Sequence, residues 1–159
     1  MTTPDPDRPD AGARTRPDLP ETSRSLPIVM LRARETMMAP IRQMLQKVDV
    51  TEQQWRVLRV LDERGTLDPK DLAQAACLLN PSLTRIMQHL ERKGLIRRKD
   101  HPSDRRKVLL DITPEGVALL RAAAPESQAI FARLEEQLGR DKVERLLDLL
   151  NELSGLELD

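Results

Sequence analysis

Ser82, Thr84, Arg85, Gln88, His89 and Arg92 bring hydroxyl, guanidinium, amide and imidazole groups to one short stretch, mostly three or four residues apart. These groups can hydrogen-bond base edges in a major groove when a helix presents them. Further along, Asp104-Arg105-Arg106 ends a polar, Pro-containing turn that starts at Asp100. An arginine at such a tip suits the narrower minor groove. The plainer readings are an ordinary exposed helix face and a solvated hairpin tip.

The charge pattern supports contact with an anion. The 26 basic and 26 acidic side chains of the 159-residue chain cancel, yet they are segregated. Residues 80 to 107 hold nine Lys/Arg against three Asp/Glu, a balance of +6, and residues 134 to 159 hold three against eight, a balance of −5. A neutral total therefore conceals a basic face.

The elements that must position these groups follow from periodicity and capping. Met30, Leu31, Met37, Met38, Ile41, Met44, Leu45 and Val48 recur at helical spacing, with Pro40 set to kink that helix or end its first half. Thr51-Glu52-Gln53-Gln54 has capping-box form and opens a helix carrying Trp55, Val57, Leu58 and Leu61 that ends near Gly65. Asp68-Pro69 and Asn80-Pro81 each read as an N-cap followed by proline at the first helical position. The second of these helices turns Leu83, Ile86, Met87 and Leu90 inward and closes at Gly94.

Residues 95–99 and 107–112 read as two short strands around the charged turn. Thr113-Pro114 opens a helix of about 25 residues bent at Pro125. A leucine-dense helix follows from Asp141 to about Leu156, with an apolar arc wider than one neighbouring helix would cover. The predicted fold is mainly α with a small β-hairpin wing: a winged helix-turn-helix with a helical dimerisation region. Residues 1–27, with six of the twelve prolines and little to bury, read as a disordered or loosely attached arm. Residues 28–158 read as one domain, with the winged part at about 50–112 and the dimerisation helices at about 28–48 and 114–156.

Composition removes several functions. No apolar run approaches the roughly 20 residues of a membrane span. Cys77 is the single cysteine and His89 and His101 are the two histidines, too few for a disulfide framework or a structural zinc site. The six glycines are dispersed, so no phosphate-cradling loop forms, and no nucleophile or acid/base constellation is visible. No enzyme activity, cofactor or metal is expected. The polar N-terminus shows no secretory pattern, which predicts a cytoplasmic protein.

Thr51-Glu52-Gln53-Gln54-Trp55, Asp71-Leu72-Ala73, Pro81-Ser82-Leu83-Thr84, Leu90-Glu91-Arg92-Lys93-Gly94-Leu95-Ile96 and Asp104-Arg105-Arg106 followed by Ile112-Thr113-Pro114-Glu115-Gly116 resemble the multiple-antibiotic-resistance regulator (MarR) family. The likeness runs from about residue 26 to 156. Within the family, Leu31-Arg32-Ala33-Arg34-Glu35 and Ala76-Cys77 in this setting are most similar to the subfamily (HpaR-like) that regulates homoprotocatechuate degradation.

The resemblance implies a homodimer on double-stranded operator DNA, with the wing arginine in the minor groove and Asp104 orienting it by an ion pair. It also implies a small-ligand pocket between the winged and dimerisation regions, near Trp55. There Arg34 is the leading carboxylate anchor, Arg42 and Arg32 are further cations, and Met38, Ile41 and Trp55 form apolar walls. An aromatic acid of hydroxyphenylacetate or cinnamate type, or its coenzyme A thioester, is the expected effector of a repressor of aromatic-acid catabolic genes.

Two rivals remain at this level. Cys77 could sense peroxide, although its neighbours Ala75, Ala76, Leu78 and Leu79 favour a small buried hydrophobe. Alternatively, the leucine-rich C-terminal helices could make the chain a protein-interaction module.

Overall fold

The computed structural model describes residues 21–101 and 104–157, with backbone only for Asn80, His101 and residues 104–107. The order is α1 (Leu26–Lys47), α2 (Glu52–Arg64), α3 (Pro69–Ala75), α4 (Asn80–Arg92), β1 (Ile96–His101), β2 (Asp104–Ile112), α5 (Pro114–Leu138) and α6 (Arg140–Ser154). By its internal contacts the chain divides into two units, Met1–Thr36 and Met37–Asp159. Most of the arm expected at 1–27 lies outside the described residues.

In the first unit, the described stretch enters α1 through a turn in which the Arg24 amide donates to the Glu21 carbonyl at 2.8 Å. Leu26, Val29, Met30 and Leu31 are exposed there.

In the second unit, one aliphatic core gathers Met44 and Leu45 from α1, Val57, Leu58 and Leu61 from α2, Leu72 from α3 and Leu83 and Leu90 from α4. Leu110 from β2 and Leu120, Ala123 and Ile130 from α5 complete it. Caps set the helix starts. The Gln54 amide donates to Thr51 Oγ1 at 3.2 Å and the Thr51 amide donates to Gln54 Oε1 at 3.0 Å, a complete capping box. Asp68 accepts from the Asp71 amide at 2.9 Å. At α4 the sequence expectation is off by one residue: Leu79 is the N-cap, without a side-chain bond, and Asn80 is already helical.

Neither internal proline ends its helix. Pro40 and Pro125 sit inside continuous α1 and α5. Each removes one backbone bond, and buried residues nearby, Met44 and Leu45 in one helix and Ala123 and Ile130 in the other, hold the turns in place.

The two strands pair antiparallel from Ile96↔Ile112 to Asp100↔Val108, then shift register to His101↔Asp104. The wing is therefore longer than its sequence suggests. Asp104, Arg105 and Arg106 lie within β2 rather than in a loop, with the register shift falling between the Asp100↔Val108 and His101↔Asp104 pairs. A further bridge ties the wing to the helical body: Leu67 and Leu110 exchange amide-to-carbonyl bonds of 3.0 and 2.8 Å.

Candidate nucleic-acid interface and ligand cavity

α3 and α4 are joined by a tight turn in which Cys77 adopts φ +50°. That geometry lets Ala76 enter the core and leaves Cys77 exposed, which corrects the expectation of a buried thiol. Arg56 Nη1 donates to the Cys77 carbonyl at 3.3 Å and braces the turn against α2.

α4 then sorts its side chains as amphipathic spacing requires. Leu83, Ile86, Met87 and Leu90 are buried. Thr84, Arg85, Gln88 and Arg92 are exposed, and Ser82 and His89 are half-buried at the edges. Pro81, Ser82, Thr84, Arg85 and Gln88 line one concave surface, so four of the sequence-predicted groups meet there. Their chemistry is that of base-edge readout. Asp104, Arg105 and Arg106 have their backbone in β2, and their side chains lie outside the described residues.

Ion pairs hold the wing to this helix. Arg98 Nε donates to Glu91 Oε1 at 2.6 Å, joining β1 to α4. Across the hairpin, Asp111 Oδ2 accepts from Arg97 Nη2 at 2.7 Å and pairs with Lys99 Nζ at 2.5 Å. The Lys99 and Arg97 hydrogen bonds hold the Asp111 carboxyl below its ordinary value of 3.8. At the far end of α4, Lys93 donates to the side chain and carbonyl of Asp49. This contact lowers the Asp49 pKa, with His89 adding to the pull.

A separate cavity of about 200 Å³ opens between α2 and α5. Trp55, Arg59 and Asp62 line it from one side, and Leu120, Arg121, Ala124, Ser127 and Gln128 from the other. An indole, aliphatic carbons, two guanidinium groups, one carboxylate and the hydroxyl and amide of Ser127 and Gln128 thus line one small space.

Of the ligand residues expected from sequence, Trp55 lines this cavity. Met38 and Ile41 are half-buried in the second unit, and Ile41 packs on the core. Arg42 Nη1 pairs with Glu52 Oε1 at 3.0 Å. Arg34, in the first unit, is exposed and lies 3.3 Å from Glu35 Oε1. Arg59, Arg121, Ser127 and Gln128 were not singled out from sequence. Arg59 had a signal, since it follows Trp55 by four residues and so shares its helix face; the α5 residues had none.

A helix pair whose second helix exposes hydrogen-bonding groups, followed by a basic hairpin, defines a winged helix-turn-helix DNA-binding protein. The MarR family model matches residues 50–108. The chain is also 44% identical to the HTH-type transcriptional regulator FarR of Neisseria gonorrhoeae, over 84% of its own length and 91% of that protein. It is 39% identical to the homoprotocatechuate degradative operon repressor of Escherichia coli, over 83% of the chain and 89% of that protein. The solved structure of NadR in complex with 4-hydroxyphenylacetate superposes with a TM-score of 0.76 at 40% identity, covering 91% of this chain and 100% of that one. The chain belongs to the MarR family and is a transcriptional regulator. No helix among the described residues is long and apolar enough to cross a membrane.

Proposed function

We propose that the chain is a cytoplasmic, homodimeric repressor of aromatic-acid catabolic genes that binds a pseudo-palindromic operator and is released by a small aromatic carboxylate. It acts by binding and performs no catalysis. The observation that carries this reading is the cavity between α2 and α5, where Trp55 offers an aromatic wall and Arg59 and Arg121 offer guanidinium donors. A guanidinium fork binds a carboxylate through two parallel hydrogen bonds, and a space of about 200 Å³ suits a single ring. Two of the three named relatives, one a repressor of homoprotocatechuate degradation and one crystallised with 4-hydroxyphenylacetate, support the same ligand chemistry.

On DNA, Ser82, Thr84, Arg85, Gln88, His89 and Arg92 face the major groove, while Arg105 and Arg106, with Asp104 orienting them, reach the minor groove. Release follows population shift: an acid that binds better to the protein when its two recognition helices are wrongly spaced lowers operator affinity by that difference.

Trp55 is the only tryptophan, so its emission reports on the cavity directly. Titration with 4-hydroxyphenylacetate, and with its coenzyme A thioester, should change Trp55 emission and release operator at the same midpoint. Arg59→Ala should weaken the acid by about 10- to 100-fold, the loss of one charge-assisted bond pair. Arg34→Ala, tested in parallel, reports whether the exposed arginine of α1 contributes a second anchor. Response to the thioester alone would replace the free acid as effector, and no response to either would remove the aromatic-acid reading.

The exposure of Cys77 beside α4 favours one second reading, release by oxidation. Peroxide that frees operator from the wild type but not from Cys77→Ser would establish it.

A further inference from the structure

Thr113 does more than cap α5. Its hydroxyl accepts from the Gly116 amide at 3.1 Å, the ordinary N-cap bond, and donates to the Gly94 carbonyl at 2.6 Å. Its own amide donates to the Leu95 carbonyl at 3.1 Å. Gly94 and Leu95 are the C-terminal closure of α4. With Gly94 at φ +68°, the Leu95 amide reaches the Leu90 carbonyl and the Gly94 amide reaches that of Glu91, each at 2.9 Å. Leu95 leads directly into β1, and Ile112, which precedes Thr113, ends β2.

Gly116 completes the junction. A Cβ there would lie 2.4 Å from the Leu95 carbonyl oxygen and 2.7 Å from Ile112 Cγ1. The first turn of α5 is therefore pressed against the root of the wing. One turn further on, Leu120 is buried and forms part of the cavity wall.

We propose that Thr113 is a positioning residue for operator recognition: its two hydroxyl bonds lock the end of α4, the root of the wing and the start of α5 into one joint, so that both groove-reading elements turn with α5 as a single body. A cap needs only an acceptor. The donated bond to Gly94 crosses to another element and serves orientation. The coupling half of the proposal rests on the cavity reading above, because α5 carries one wall of that cavity; the positioning half does not.

Three substitutions separate cap from joint. Thr113→Ser keeps both bonds, Thr113→Asp keeps an acceptor for the cap but has no proton to give Gly94 at neutral pH, and Thr113→Val has neither. The operator is first selected from a random duplex pool with wild-type protein. Affinities for it and for an unrelated duplex are then measured across a salt titration, at a temperature where far-ultraviolet dichroism and Trp55 emission match the wild type. Thr113→Asp should lose about tenfold in operator affinity with unchanged non-specific affinity and salt slope, because the phosphate-contacting cations remain. Thr113→Ser should stay within about twofold of wild type. Thr113→Asp is decisive if Thr113→Val fails to fold, and operator binding by Thr113→Asp equal to wild type would overturn the proposal.

In the second arm, 4-hydroxyphenylacetate should bind Thr113→Asp with the wild-type Trp55 midpoint yet release operator at least tenfold less effectively. Undiminished release would show that coupling runs elsewhere. A wild type whose Trp55 ignores the acid would overturn the cavity reading, and the specificity arm would still decide the joint.

Discussion

Arg85 stands exposed on α4 beside buried Ile86, so truncating it removes a contact group without opening the core. Arg85→Ala should weaken operator binding by about 1 to 3 kcal/mol and relax preference at one base position. Arg105→Ala and Arg106→Ala should reduce affinity through the minor groove, and Asp104→Ala should reproduce part of the Arg106 loss. Competition binding against operators substituted one base pair at a time reads the difference.

Asp111 supports a pH prediction. Lys99 and Arg97 depress its folded pKa, so the stabilisation is fully present above the ordinary value near 3.8 and disappears as pH falls through the depressed value. The gap in thermal midpoint between wild type and Asp111→Asn should therefore be open at neutral pH and narrow in acid below that range. The residue types at this scale are readable in the chain, but their pairings are not. Glu91 and Arg98 meet only because α4 and β1 turn back on one another.

Among elements, the capped helices are the most legible, since Thr51, Asp68 and Thr113 accept the amides their positions predict. The prolines and the wing are less so. A proline removes a local bond whatever its setting, but whether the helix survives depends on what the turns around it bury. The wing strands run longer than their apolar alternation, because the hairpin register carries pairing into charged sequence. Two substitutions test the packing that positions α4 and α5. Leu90→Ala, at a fully buried position, should cost about 2 to 5 kcal/mol in urea unfolding. Gly116→Ala drives a methyl group toward the Leu95 carbonyl and should lower both stability and operator affinity, as read by urea unfolding and operator titration.

At the scale of the molecule, Leu146, Leu147, Leu149 and Leu150 of α6 are 39 to 53% exposed, an apolar surface that the chain's own helices leave uncovered. A second copy is the proposed cover. Replacing Leu146 and Leu150 together by Glu should convert the protein to a monomer in sedimentation at micromolar concentration and abolish tight operator binding, while the winged region keeps its helical dichroism. A wild type that sediments as a monomer would remove the premise. A two-fold dimer further requires half-sites about 10 to 10.5 base pairs apart or a multiple of that, which footprinting on the selected operator would read.

The sequence by itself determined the helices, the inward face of α4 and the basic stretch, because caps and apolar periodicity act over a few residues and need no distant partner. It also carried the family likeness from about residue 26 to 156. Tertiary structure alone decided that Cys77 is exposed, since its positive φ comes from the way α3 and α4 meet. It alone brought Arg121 of α5 opposite Trp55 and Arg59 of α2, and set the Thr113 hydroxyl against Gly94, nineteen residues earlier. Such contacts arise where chain segments far apart in sequence are pressed together by a shared core, and nothing in local spacing specifies which polar group will meet which.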